Sequence, residues 1–446
     1  MEQTNQTLQY TNKTGKGRAA VSIATIGVLF FIFGFVTWVN AILIPYFKVA
    51  CELNNFESYL VAFAFYIAYL VMALPSGYLL KRTGFKRGMM IGFWVMALGA
   101  LIFVPAGLTR TYGVFLVGLF TLGMGLAVLQ TAANPYITIL GAKERAAQRF
   151  SIMGICNKLA GIMAPLLFAT VILRPTDDVL FESVALMKGA EKSLVLDELA
   201  QRVVIPYAVL ALVLVALGLF VKYSPLPEID TESEDEEDRA STAGKKSILD
   251  FPHLVLGAVA IFFHVGSQVI AVDSIINYAS DSGLSFLEAK VFPSYTLTAT
   301  IIGYILGISL IPKFISQLNA LKFCTILGFL FSVAVFSVSK KVDFLGFHVD
   351  ISVWFIVLLG FANSMIWAGV WPLAMDNLGR FIKMGASLLI MGLCGNAIMP
   401  LLYGYWADHH GLREAYWVLL PCYSYLIFYA FAGHRLKRWT YRKTLK

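Results

Sequence analysis

Twelve long apolar stretches constrain the fold of this chain more than any other feature. A helix needs about 20 apolar residues to cross the roughly 30 Å of hydrocarbon in a bilayer. Stretches close to that length recur along the sequence from Ala20 to Ala432. With 58% hydrophobic and 14% charged residues, the chain lacks the polar coat of a soluble globule. We therefore predict an all-α membrane protein with twelve transmembrane helices.

A polar, acidic segment separates the stretches into two groups of six. The run "EIDTESEDEEDR" has no apolar periodicity, which is typical of a solvated linker. Between the fifth and sixth stretches, by contrast, the segment from Arg174 to Arg202 has a helical period and predicts a surface helix. The predicted organisation is an N-terminal tail at 1–19, a six-helix bundle at 20–222, the acidic linker at 223–250, a second six-helix bundle at 251–434 and a basic tail at 435–446.

The distribution of lysine and arginine predicts the orientation. If the N-terminus is cytoplasmic, 24 of the 35 basic residues lie in cytoplasmic segments and 10 lie outside, as the positive-inside rule requires. The remaining one, Lys158, lies within a span. We predict that both termini are cytoplasmic, and we assign the net charge of +8 to topology rather than to nucleic-acid binding. The five cysteines are odd in number and lie mostly in or beside spans, so they predict no disulfide framework.

The two groups of six repeat each other. Gly34 in the first span is followed seven residues later by Ala41, and Gly266 in the seventh span is followed seven residues later by Asp273. The fifth span contains "IMAPLLF" and the eleventh "AIMPLLY". These matches occur in the same order, which indicates two pseudo-symmetric halves related by an axis along the membrane normal. This is the architecture of the major facilitator superfamily.

Polar side chains inside the spans predict a binding site. Such groups are costly in hydrocarbon and tend to face the interior of the bundle. Carboxamides both donate and accept hydrogen bonds, which suits a neutral polyol better than an ion. As alternatives to substrate binding, the carboxamides would form hydrogen bonds between helices, and Trp367 would simply pack against its neighbours. The predicted substrate-binding residues, drawn from both halves, are Asn40, Gln130, Asn134, Asn157, Lys158, Gln268, Asn363, Trp367 and Asn396.

Three ionisable groups in the spans leave alternatives open. Asp273 is the clear acid there, and a buried carboxylate can take up a proton or hold a cation; the alternative is a static ion pair with Lys158. Counting residues from the helix ends puts Asp273 roughly 15 to 20 Å from Lys158 along the membrane normal, which argues against that pair. Lys158 either hydrogen-bonds sugar hydroxyls beside Asn157 or extends its amine towards the cytoplasm. His264 is either a structural histidine or a proton carrier.

Catalysis is not expected. The six histidines are scattered and the spans contain no paired carboxylates, whereas an enzyme or a metal centre needs clustered groups. We therefore predict no catalytic residues, no metal site and no cofactor. A nutrient sensor would be expected to add a folded soluble domain, and the hydrophilic segments are too short for one.

Several segments together resemble the sugar permeases of the fucose:proton symporter family, in its glucose/galactose and N-acetylglucosamine transporter branch. They include "FFIFGFVTWVNAILIPYF", "LQTAANPYITILG", "NKLAGIMAPLLF" and "GNAIMPLLYGYWAD", and the resemblance covers nearly all twelve spans. It implies a multi-pass transporter of the bacterial cytoplasmic (inner) membrane that imports a monosaccharide with protons or sodium by alternating access. We expect a monomer in contact with membrane lipid. Export of sugars or drugs on the same fold, or nutrient sensing by a transporter-like protein, are the alternatives.

The chain departs from the fucose permeases at two acids. In those permeases a glutamate stands at the position of Gln130 and an aspartate at the position of Ala41, so the resemblance does not transfer their coupling scheme. Asn157, by contrast, matches an asparagine of the family's sugar site. In the internal repeat Ala41 is the partner of Asp273. We therefore predict ion coupling through Asp273, with His264 as a second candidate.

Overall fold

The computed structural model describes residues 16–139, 146–174, 177–184, 187–224, 226, 245, 247–311 and 313–439. Within these ranges, twelve helical segments are long and apolar enough to cross a membrane. This confirms the predicted fold class and the number of spans. Most of the linker predicted at 223–250 lies outside the described residues, and the proposed domain boundaries remain predictions.

The N-terminal half contributes spans 1 to 6. Span 1 consists of two consecutive helices, and each of spans 2 to 6 is a single helix. Two further helices lie between spans 5 and 6. In chain order the helices are α1 (Lys16–Trp38) and α2 (Asn40–Ala50), α3 (Asn55–Thr83), α4 (Phe85–Thr109), α5 (Tyr112–Ile139), α6 (Ala146–Ile172), the intervening α7 (Asp177–Val184) and α8 (Gly189–Gln201), and α9 (Val204–Tyr223). The surface helix expected between Arg174 and Arg202 is thus confirmed as α7 and α8.

The C-terminal half contributes spans 7 to 12. Span 7 consists of α10 and the short α11, span 11 of α16 and α17, and a 3₁₀ turn, Glu414–Val418, leads into span 12. In chain order the elements are α10 (Pro252–Asp273), α11 (Ile275–Asp281), α12 (Phe286–Ala289), α13 (Phe292–Leu310), α14 (Gln317–Ser337), β1 (Lys341–Phe344), β2 (Phe347–Asp350), α15 (Ile351–Ala374), α16 (Ile382–Met391), α17 (Gly395–His410) and α18 (Leu419–Phe431).

The β-hairpin between spans 9 and 10 was not anticipated. Strands β1 and β2 pair antiparallel, and Leu345 and Gly346 at the turn have positive φ values of 52° and 84°. Two central residues with positive φ are typical of a tight hairpin turn. We call the end of the bundle that carries this hairpin and α8 the hairpin end. The opposite end, where Ile248–Asp250 precedes span 7, is the linker end.

Spans 1 and 7, which are partners in the repeat, are both interrupted. The first break is at Val39, between α1 and α2, and the second is at Ser274, between α10 and α11. The Ser274 hydroxyl lies 2.6 Å from the Ile270 carbonyl oxygen and 2.7 Å from the Tyr416 hydroxyl. A serine that bonds back to its own helix in this way commonly bends it. The breaks lie five residues after Gly34 and eight after Gly266, within one helical turn of each other in the repeat frame.

Close helix approaches depend on small residues, as expected where lipid gives helices no hydrophobic drive to associate. A Cβ at Gly34 of span 1 would lie 2.1 Å from the main-chain oxygen of Asn157 on span 5. At Gly161 of span 5, a Cβ would lie 2.6 Å from the indole of Trp38. Glycine is therefore required where span 1 crosses span 5.

The two halves meet mainly along two symmetry-related pairs of spans. Span 2 packs against span 11, and span 5 against span 8. At the hairpin end, the rings of Tyr59 and Tyr403 meet edge to face with centroids 6.2 Å apart, and the Phe56 amide donates a 3.2 Å hydrogen bond to Asp408 Oδ2. At the linker end, the Gln148 carboxamide donates a 2.8 Å hydrogen bond to the carbonyl oxygen of Ile311. The halves thus touch on both sides of the middle of the bundle.

Candidate substrate and ion site

A cavity of about 120 Å³ lies between the two halves. Because a cavity of about 10 to 15 Å³ on this measure holds one water, there is room for a small polar molecule. Its walls come from spans 1, 2, 4 and 5 of the first half and spans 7, 8, 10 and 11 of the second. Eight predicted site residues line it, namely Gln130, Asn134, Asn157, Lys158, His264, Gln268, Trp367 and Asn396. The structure therefore brings together polar groups that are widely separated in the sequence.

Lys158 joins the two halves across this cavity. Its side chain is buried, and Nζ donates a 3.1 Å hydrogen bond to Oε1 of Gln268 on span 7. The same ammonium lies 4.0 Å from the centre of the Trp38 ring, a distance at which a cation is attracted to the ring face. The amine thus points into the interior of the bundle rather than towards the linker end.

Trp38 is a site residue that the sequence analysis missed. Its indole Nε1 donates a 3.1 Å hydrogen bond to Oδ1 of Asn157, and Asn157 Nδ2 donates a 3.3 Å bond to the carbonyl oxygen of Phe30. These bonds fix the carboxamide orientation of Asn157 and place the indole under the Lys158 ammonium. The available signal was Gly161, one turn after Asn157, because a glycine in a span indicates close approach of a neighbouring helix.

Tyrosines from span 2 form another part of the wall. Gln130 Nε2 donates a 3.0 Å hydrogen bond to the Tyr69 hydroxyl, and the rings of Tyr66 and Tyr69 stack with centroids 6.3 Å apart. Both tyrosines line the cavity. The bond that Gln130 donates fixes the orientation of its carboxamide, including the carboxamide oxygen.

The aromatic wall of the second half consists of two tryptophans on span 10. The rings of Trp367 and Trp371 stack with centroids 5.2 Å apart and an interplanar angle of 25°. Trp367 lines the cavity, whereas Trp371 is fully buried behind it and contacts Phe150 of span 5. A rigid aromatic face of this kind can pack against the C–H face of a sugar ring.

Three predicted site residues do not line the cavity. Asn363 lies behind it, where its Oδ1 accepts a 3.0 Å hydrogen bond from the Tyr423 hydroxyl. Asn40 and Asp273 lie at the breaks in spans 1 and 7, with only 1% and 4% of their surfaces exposed. Both side-chain polar atoms of Asn40, and Oδ2 of Asp273, are buried with no hydrogen-bond partner among the described residues.

Lys158 and Asp273 are nearer to each other than residue counting indicated, but they form no ion pair within 4.0 Å in the described structure. The ammonium is bonded to Gln268, five residues before Asp273, which corresponds to a rise of about 7.5 Å along the helix. The expected separation of roughly 15 to 20 Å was therefore too large, because it ignored the length and direction of the lysine side chain. The two charges interact electrostatically across this shorter distance.

His264 lines the cavity on span 7 and is 1% exposed. Its Nδ1 is buried and has no hydrogen-bond partner within the described ranges, while its main-chain carbonyl accepts a bond from Ser267. Within the described ranges, no three histidine, cysteine, aspartate or glutamate side chains form a group that could hold a metal ion. The cavity is thus equipped to donate and accept hydrogen bonds around a small polar molecule.

Comparison with known proteins agrees with this architecture. The family model of the Major Facilitator Superfamily matches residues 26–388. A solved structure, that of FucP, a Major Facilitator Superfamily transporter in the outward conformation, superimposes with a TM-score of 0.71 at 26% identity, covering 93% of this chain and 98% of that one.

Curated relatives match along almost the full length. The chain is 33% identical to the glucose/galactose transporter of Brucella abortus, over 96% of this chain and 97% of the relative. It is 28% identical to the putative glucose/galactose transporter of Helicobacter pylori and 26% identical to the L-fucose-proton symporter of Escherichia coli, over 93% of this chain in each case. The relatives are named as transporters, which agrees with the expectation that the chain is not an enzyme. The resemblance stated from the sequence is confirmed, and the chain belongs to the Major Facilitator Superfamily.

Proposed function

We propose that this protein imports a neutral monosaccharide together with a cation. The observation that carries the proposal is the cavity between the halves, which is lined by carboxamides from both and crossed by the bond from Lys158 to Gln268. The names of the relatives, which include glucose/galactose transporters and an L-fucose-proton symporter, support a hexose or deoxyhexose. An N-acetylated amino sugar belongs to the same proposed class.

The wall chemistry supports a neutral sugar. A sugar presents hydroxyls that both donate and accept, and Asn157, Gln130 and Asn396 offer matching groups. Trp367 offers a flat apolar surface for the ring face. Lys158 adds a charged donor, and a charged donor strengthens a hydrogen bond to a hydroxyl. Asn134 and Gln268 complete the proposed substrate site, while Asn40 and Asn363 act from behind the wall.

Contacts at both ends support alternating access. At the hairpin end span 2 meets span 11 through Tyr59 and Tyr403, and at the linker end the Gln148 side chain caps the last turn of span 8. In our proposal the halves rock about the cavity, so that one set of contacts opens while the other stays closed. In our proposal, which follows the positive-inside rule, the linker end and both termini face the cytoplasmic side of a bacterial inner membrane.

Coupling through Asp273 completes the proposal. The carboxylate is buried beyond the cavity on the hairpin side, and it interacts electrostatically with Lys158. Gain or loss of a positive charge at Asp273 therefore changes the field at the lysine that contacts the substrate cavity. His264, which shares the cavity wall with Lys158, is a second candidate for this role.

Counterflow in proteoliposomes tests the substrate class. Vesicles preloaded with unlabelled sugar should take up labelled glucose, galactose, fucose or N-acetylglucosamine, with sodium and pH varied independently. We expect at least one sugar to exchange, and Asn157→Ala to reduce the exchange. Asn319→Ala, which removes an exposed carboxamide at the linker end, is the matched control and should exchange normally. If none of these sugars exchanges, the proposed function is wrong.

A further inference from the structure

The interruptions of the repeat-related spans 1 and 7 each carry a buried polar side chain with an atom that has no hydrogen-bond partner among the described residues. Trp38, the last residue of α1, lies in one buried cluster with Leu297 and with Val272, the residue before Asp273, and α2 contacts α10. Both spans run from the linker end to the hairpin end, so α2 can reach α10 only where α2 begins and α10 ends. These contacts place the start of α2, which carries Asn40, beside the end of α10, which carries Asp273.

The groups at this junction are costly as they stand. In the part of the chain that the structure describes, Asn40 is 1% exposed with neither its Oδ1 nor its Nδ2 hydrogen-bonded, and Oδ2 of Asp273 is buried without a partner. Leaving a buried polar group unsatisfied costs about 1 to 3 kcal/mol, and more for a charged one. Neither side chain lines the sugar cavity, so a bound sugar would not satisfy them. The junction therefore has the composition of a separate site for a small ligand.

The chemistry of the junction favours a monovalent cation. It combines one carboxylate, one carboxamide oxygen and the carboxyl end of α10, where the helix dipole is negative. Interrupted helices in transporters commonly hold sodium with main-chain carbonyls freed at the break. A proton on Asp273 would make its carboxyl a hydrogen-bond donor, but the Asn40 carboxamide oxygen forms no hydrogen bond with Asp273 in the described structure. An oxygen-liganded ion uses both groups.

We propose that a sodium ion binds between the breaks of spans 1 and 7, with the Asp273 carboxylate and the Asn40 carboxamide oxygen as side-chain ligands. This inference rests on the proposed symport and identifies its coupling ion. The ion site lies on the hairpin side of the sugar cavity. Trp38 lines the cavity beneath the Lys158 ammonium and belongs to the same buried cluster as Val272, the residue before Asp273. Sodium at Asp273 competes with Lys158 for the same negative charge. Binding of the ion therefore changes the electrostatic potential at the lysine that lines the sugar cavity.

Binding of radioactive sodium to the purified full-length protein, without sugar, tests the inference directly. We expect saturable binding of one ion per chain at constant ionic strength in choline, with little competition from potassium. Asp273→Asn and Asn40→Ala should each weaken binding roughly tenfold or more, the scale on which metal sites respond to loss of a supporting group. Asn40→Asp, which keeps a side-chain oxygen, should bind sodium more tightly than Asn40→Ala does. Asp376→Asn, which removes an exposed carboxylate paired with Lys437 at the linker end, should bind sodium normally.

The outcomes separate this site from the transport function. Absence of saturable sodium binding to the unaltered protein, or unchanged affinity in both Asp273→Asn and Asn40→Ala, would overturn the sodium site. Counterflow of sugar would stand in that case, because exchange needs no ion gradient. Sodium binding without exchange of any sugar would instead retain the ion site and overturn the substrate class. Thermal unfolding in choline alone shows whether each variant is folded.

Discussion

Lys158 of span 5 and Gln268 of span 7 are joined by a 3.1 Å hydrogen bond between Nζ and Oε1. The bond runs from one half of the protein to the other across the cavity. The acceptor in this bond is neutral. In the described structure no carboxylate oxygen lies within 4.0 Å of the Lys158 ammonium. The remaining capacity of the ammonium for hydrogen bonds is then available to a ligand.

Replacing this lysine should weaken sugar binding. In Lys158→Met the alkyl stem is largely preserved, while the charged donor is lost. A hydrogen bond to a charged group contributes about 1.5 to 3 kcal/mol, so we expect the apparent affinity for sugar in counterflow to fall by about tenfold or more. Lys322→Met is the control, since Lys322 lies over the ring of Phe431 away from the cavity. Equal affinity in the two variants would restrict Lys158 to a structural role.

Replacing Asp273 should separate exchange from accumulation. Asp273→Asn keeps the size of the side chain and removes the charge that responds to a coupling ion. We expect the variant in liposomes to exchange sugar in counterflow but to accumulate none when an ion gradient is imposed. The same two measurements on the unaltered protein should show both activities. Accumulation by Asp273→Asn driven by a proton or sodium gradient would show that coupling resides elsewhere.

Crowding the crossing of spans 1 and 5 should destabilise the protein. A Cβ in Gly34→Ala would lie 2.1 Å from the main-chain oxygen of Asn157, which cannot move without shifting its helix. Overpacking of this kind costs about 1 to 3 kcal/mol, so the midpoint of thermal unfolding should fall. Gly113→Ala is the matched control, because no atom lies within 4 Å of the added Cβ; its stability should change by no more than about 1 kcal/mol. An unchanged midpoint for Gly34→Ala would show that the crossing is looser than described.

The fold was predictable from the sequence because its determinants are local. Each span is recognisable from its length and composition, and the positions of charges and prolines repeat between the two halves. The hairpin at Lys341–Asp350 was missed although its strands alternate polar and apolar residues, because four residues are the shortest run in which alternation indicates a strand. The cavity was predictable in part: intramembrane polar groups such as Gln130 and Lys158 were informative because burial in lipid is costly.

The partners of those groups were not predictable. The indole of Trp38 is largely apolar, so in the sequence it does not stand out from the other residues of a span. Its role depends on where span 1 crosses span 5. Asn363 has the same composition signal as Asn157, yet it lies behind the wall and bonds Tyr423. Which face of a helix meets the cavity is decided by packing between helices, and the weak amphipathicity of buried spans does not report it.

Locking the hairpin end should stop transport. The Phe56 amide nitrogen lies 3.2 Å from Asp408 Oδ2, and Tyr59 packs edge to face on Tyr403 in the same region. Cysteines in a Phe56→Cys, Asp408→Cys double variant should therefore lie near enough to form a disulfide on oxidation. If this contact must open in each cycle, the oxidised variant should lose counterflow, and reduction should restore it. Mass spectrometry of the linked peptides confirms the bond, and each single variant under the same oxidation controls for the native cysteines. A fully linked double variant that still exchanged sugar at the reduced rate would show that spans 2 and 11 stay together at this end throughout the cycle.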